Sequence, residues 1–131
     1  MQNIDIKIYT KQIQDCINIF ASTTSAEVFF SRYQLLMTRL DELIKINPSC
    51  KINFYTASEL KQKNIDEKQT MIHLLINHGQ EKLSEKLETL KTVNSKQTAI
   101  DKFCKSFDPY IDQLDDWNKK YLSRIAETKV E

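Results

Sequence analysis

In the stretch AEVFFSRYQLLMTRLDELIKI, Ala26–Ile46, apolar residues fall at Phe29, Tyr33, Leu36, Leu40 and Leu43, flanked by Phe30, Met37 and Ile44. Steps of four and three residues keep those side chains on one face of a helix of about six turns. Arg32, Arg39, Asp41, Glu42 and Lys45 fall on the other side. The start carries a capping signal: Thr24 can accept from the free N–H groups, and Glu27 can reach back to Thr24. The end is set by Pro48, which disfavours helical backbone at Asn47. A stripe this wide predicts partner helices on more than one side, and the rest of the chain is read as supplying them.

Before it, Tyr9, Ile13, Cys16/Ile17 and Phe20 have helical spacing. They predict a helix over about 5–21, although the opening IDIKIY alternates as a strand would. The connection at Ser22–Ser25 is short and made of hydroxyl residues, which suits an antiparallel neighbour. Residues 47–55 hold Ile52, Phe54 and Tyr55 without a period. Thr56 and Glu59 form a second capping signature, predicting a short helix near 57–63. Asn64 is then expected to cap a long helix over about 65–91, striped by Ile72, Leu75/Ile76, Gly79, Leu83, Leu87 and Leu90. Gly79 admits two readings: a terminator after His78, or a buried position where another helix passes close. The stripe continues through it in phase, which favours close packing.

The last stripe runs Ala99/Ile100, Phe103, Phe107, Tyr110/Ile111, Leu114, Trp117, Tyr121 and Ile125. Asp108-Pro109 must kink this helix or restart it with Asp108 as cap, because proline lacks a donor and clashes with the preceding turn. The expected fold is all-α and a single domain over 1–131. It is an antiparallel bundle of four main helices, about 5–21, 25–46, 65–91 and 96–127 (kinked near Pro109), plus the short helix near 57–63, with essentially no sheet.

Composition supports this class. One glycine and two prolines in 131 residues leave few positions for the turns that sheets require. The formal net charge of +1 provides no global field to steer nucleic acid or an anionic membrane towards the surface. Sixteen of the basic residues are lysine and three are arginine, which suits solvated helix faces more than bidentate anion recognition. Cys16, Cys50 and Cys104 have no framework or zinc spacing and read as free thiols in a reducing cytoplasm. The N-terminus has no signal-peptide pattern, and no apolar run approaches the ~20 residues that span a bilayer.

Candidate chemistry is sparse. His73 and His78, five apart, lie ~140° from each other around a helix, a poor metal pair. Asp108, Asp112, Asp115 and Asp116 read as a solvated acidic face rather than a metal or proton-sharing site. Lys82, Lys86 and Lys91 alternate with Glu81, Glu85 and Glu88, which reads as a salt-bridged exposed surface. Cys16 and Cys104 read as buried inert thiols, and Cys50 as the most exposed of the three. No phosphate loop, nucleophile elbow or zinc motif occurs, so neither a cofactor nor enzymatic activity is expected.

The aromatic and apolar excess is more informative. Tyr110, Leu114, Trp117 and Tyr121, together with Ile111, Leu122 and Ile125, cover more than one face of the last helix. Trp117 sits among Asp115, Asp116, Asn118 and Lys119, as a residue at a core boundary would. Trp117, Leu114 and Tyr121, with Phe54 and Tyr55 of the irregular segment, are therefore the candidate interface.

The segment AEVFFSRYQLLMTRLDEL, the Leu90–Thr92 LKT and the following F-x-x-x-F helix ending near Tyr121 resemble a family of small helical proteins. These belong to low-GC Gram-positive bacteria and their prophages or mobile elements, and they have no assigned activity. The resemblance covers most of the chain from Ala26 and implies an α-helical cytoplasmic protein with an element-linked role. The function expected is a non-enzymatic interaction module, acting on a protein partner or a second copy through a helix face. The alternative is a small nucleic-acid-associated regulator of a prophage or mobile element.

Overall fold

In a computed structural model, which describes the backbone of residues 2–130 and side chains from residue 6 onward, helices make up 78% of the chain. The helices are α1 (Gln2–Phe20), α2 (Ala26–Ile46), α3 (Ala57–Asp66), α4 (Lys68–Thr89), α5 (Val93–Lys105) and α6 (Asp116–Ala126), with a 3₁₀ helix at Asp108–Gln113. None is long and apolar enough to cross a membrane. The opening IDIKIY is helical backbone, so the alternating reading fails; the side chains of Ile4 and Asp5 lie outside the described residues.

Helix α2 is the centre of the core. Phe29, Leu36, Leu40 and Leu43 are fully buried, with Ala26, Phe30 and Tyr33 nearly so. Its cap is Ser25, whose Oγ accepts from Val28 N–H at 3.2 Å, one residue after the expected Thr24. Helix α1 lies antiparallel to it. The Phe20 ring sits 4.9 Å from Phe29 at one end, and Arg39 Nε donates to Gln12 Oε1 at the other.

Residues 47–55, expected to be irregular in a chain with essentially no sheet, instead form with Thr56 a small two-strand hairpin, β1 (Lys51–Ile52) and β2 (Tyr55–Thr56). Asn53 opens its two-residue turn at φ 58°, a left-handed conformation that asparagine tolerates better than most residues. Ile52 is buried, which anchors the hairpin to the core. Thr56 then starts α3 with both halves of a capping box: Glu59 N–H donates to Thr56 Oγ1, and Thr56 N–H to Glu59 Oε1.

Two expected elements are divided differently. The short helix runs on to Asp66, and Asn64 is buried within it instead of capping the next helix. Its side chain is satisfied locally, donating Nδ2–H to Leu60 O at 2.8 Å, while Asn64 O accepts from the Tyr33 hydroxyl. The expected kinked helix 96–127 is two helices joined by the 3₁₀ segment. Pro109 breaks the ladder, and Asp115 caps a new helix by accepting from Asn118 N–H. Pairings between residues 69 and 115, 73 and 117, and 80 and 121 show that α6 runs beside α4 in the same direction. A single last helix antiparallel to its neighbour, as expected above, is therefore not what forms.

Gly79 lies mid-α4 and is buried. A Cβ added there would meet Phe103 Cε1 at 2.5 Å and Cζ at 3.0 Å, so the glycine is where α5 packs against α4. Gly79→Ala gains ~1 kcal/mol of helix propensity but overpacks the contact by ~1–3 kcal/mol. The expected result in urea denaturation is a net change between neutral and a loss of about 2 kcal/mol, reversed to a gain in a Phe103→Ala background. A gain in the wild-type background would contradict the packing role.

Candidate interaction face

The seam between α4 and α6 is built around a polar side chain. Asn118 is 0% exposed and lies one turn before buried Leu122 on α6, and four residues after buried Leu114, which precedes the helix in extended backbone. Its Nδ2 donates to Gln69 O and Gln69 Oε1, each at 3.0 Å. Gln69 completes the clamp: its Nε2 donates to Gln113 O, and its Oε1 accepts from Asp115 N–H. With the Asn118 amine committed to Gln69, Asn118 Oδ1 faces His73 Nδ1 at 3.2 Å and must accept. His73 Nδ1 is therefore the donor in this contact.

Trp117 lies flat on that ring, centroids 3.9 Å apart and planes 10° from parallel, and remains 52% exposed. The Tyr121 ring also packs against His73, centroids 4.7 Å apart, and its hydroxyl reaches Asn77 Oδ1 and Gln80 Oε1. Burial pushes the Tyr121 phenol up, so it stays protonated and a donor at neutral pH. Lys120 and Arg124 border a cleft of about 270 Å³ with these three rings. The result is an aromatic platform, immobilised from beneath and open above.

Of the five candidate interface residues, Trp117 is placed as expected and Tyr121 supports it while half-buried. Leu114 is 4% exposed, so it belongs to the core and not to a surface patch. The reversal of chain direction after the 3₁₀ segment turns it inward. Phe54 is 88% exposed at the hairpin tip, and Tyr55 is exposed with the Lys63 ammonium 5.8 Å from its ring centroid. These two stand on the hairpin, on a different element from the α4–α6 platform.

Asn118 and Gln69 were not singled out from sequence. The signal existed for Asn118: the i, i+4, i+8 column Leu114–Asn118–Leu122 places it between two core leucines. Gln69 has no such marker. His73, which the sequence offers only as half of a poor metal pair with His78, links Asn118 to Trp117 and Tyr121.

The remaining chemical groups are quiet. Burial pushes the Cys16 and Cys104 thiols up, which opposes thiolate formation. Among the described residues, no three His, Cys, Asp or Glu side chains gather as metal ligands would. Desolvation lowers Lys68, whose ammonium sits 4.6 Å above the Tyr33 ring centroid. The chain matches no protein-family profile, no curated protein and no solved structure.

Proposed function

We propose that the protein is a non-enzymatic association module whose α4–α6 face docks against a second copy of the chain. The carrying observation is Trp117: a large aromatic half-exposed to water, yet held in one orientation by His73 and, through it, by Asn118. Tryptophan is enriched at interface hot spots. A side chain already immobilised gives up little rotamer freedom on binding, so its apolar area counts almost in full. Phe54 provides a second exposed anchor on the hairpin. The three cysteines are free thiols, which suits action in a reducing cytoplasm.

Trp117 is the only tryptophan, so its fluorescence reports this face alone. On raising protein concentration, the emission maximum should move to shorter wavelength as the ring leaves water. The Leu74→Lys variant, altered at an exposed position next to His73, should blunt that movement. Emission that stays constant over the whole range, with no mass increase, would remove the support for self-association.

A further inference from the structure

The lysine–glutamate alternation late in α4 separates into two tracks when wound into a helix. Lys82 and Lys86 are four apart and share one side, while Glu81 and Glu85 share another. The lysine track turns towards α5, where Lys102 faces it across an open cleft. None of these three lysines forms an ion pair among the described residues, contrary to the salt-bridged surface expected from sequence.

The cleft has a volume of about 430 Å³, in the range that accommodates small organic ligands. Gly79, Leu83, Ala99 and Phe103 give it an apolar lining, and Gly79 matters because a side chain there would press into the Phe103 ring. Lys86, Ala99 and Lys102 also line an adjoining hollow of about 450 Å³ that extends to Leu90 and Ser95. The groove therefore continues beyond the lysines, with Leu90 and Ala99 as its apolar side chains among Asn94, Ser95 and Thr98. Glu27 is the single acidic residue on the cleft, against three lysines, which leaves two net positive charges.

We propose that this cleft binds a phosphate monoester carried on an apolar body. The head sits among Lys82, Lys86 and Lys102, and the body lies along Leu83, Ala99 and Phe103. Charge selects the head group: a phosphate monoester carries close to two negative charges at neutral pH, matching the cleft, and a carboxylate carries one. Geometry agrees, because ammonium groups on flexible stems act as point charges around a phosphate and lack the planar fork that favours carboxylates. This site is separate from the α4–α6 platform and does not depend on the association reading.

The test is calorimetric titration of the full chain with octyl phosphate, octanoate, octanol and inorganic phosphate, each kept monomeric. Octyl phosphate should bind one to one, at least ten-fold tighter than octanoate, with no saturable binding of octanol or inorganic phosphate. Amide resonances of Gly79 and Ala99 should shift with the same midpoint. The Lys82→Gln/Lys102→Gln variant, altered only at exposed positions, should keep its helical spectrum and lose at least ten-fold in affinity. Lys91→Gln, outside the cleft, should lose nothing. Equal binding of octanol, an unchanged affinity in the double variant, or binding only to vesicles containing phosphatidic acid would each overturn the proposal.

Discussion

Leu40→Ala is expected to destabilise the protein by about 2–5 kcal/mol, and Leu36→Ala by a similar amount. Both side chains are fully buried in the middle of α2. Truncating either removes transfer free energy and leaves a cavity that cannot collapse fully, because α2 is packed by neighbours on more than one side. Phe20 of α1 packs against Phe29 with the rings tilted by 46°, Tyr110 stacks on Phe30 with ring centroids 4.4 Å apart, and Ile52 and Leu60 are buried in the same core. Urea denaturation followed by circular dichroism checks this. A loss below 1 kcal/mol at both positions would mean that α2 packs peripherally, and the organisation described above would be wrong.

The second large effect is expected at Asn118. Asn118→Ala takes the acceptor from His73 Nδ1 and one donor each from Gln69 O and Gln69 Oε1, the latter keeping Asp115 N–H. A buried polar group left unpaired, here His73 Nδ1, costs about 1–3 kcal/mol, so a loss of about 1–3 kcal/mol is expected. The effect should also be local. Trp117 rests on His73, so its fluorescence anisotropy should fall in the folded variant as the platform loosens. Asn118→Asp should behave as an intermediate, because it can still accept from His73 but can no longer donate to Gln69. Unchanged stability and anisotropy in Asn118→Ala would show that the clamp does not hold α6.

Much of the fold was legible because it follows from apolar spacing. The α2 stripe, the stripe of α4 through Gly79 and the capping box at Thr56 all appear where the sequence places them. What was not legible depends on choices between competing local options. Ser25 and Thr24 are chemically equivalent caps one residue apart, and Asn64 is a good cap that the chain uses inside a helix. The hairpin at residues 51–56 is too short for a period and relies on a left-handed asparagine rather than a glycine. The chain reversal after Pro109 is a tertiary outcome: proline requires a break, but where the chain goes afterwards is decided by Gln69 clamping Asp115 and Asn118.

The candidate site divides in the same way. Trp117 was visible as an aromatic among charges, whereas Leu114 was misread because its exposure was inferred from one continuous helix. The His73–Asn118–Gln69 network joins residues more than forty apart in sequence and leaves no local signature except the leucine column around Asn118. The lysine cleft was hidden because alternation along the chain was taken for alternation in space. On a helix, residues four apart coincide and adjacent ones diverge.

Sedimentation equilibrium of the wild type and of Trp117→Lys tests the association claim most directly. The account predicts a wild-type mass that rises with concentration to that of two chains, and a Trp117→Lys variant with wild-type helical content that stays at the mass of one chain. A wild type that remains at one-chain mass over the full concentration range, or a variant that dimerises as readily as the wild type, would contradict it.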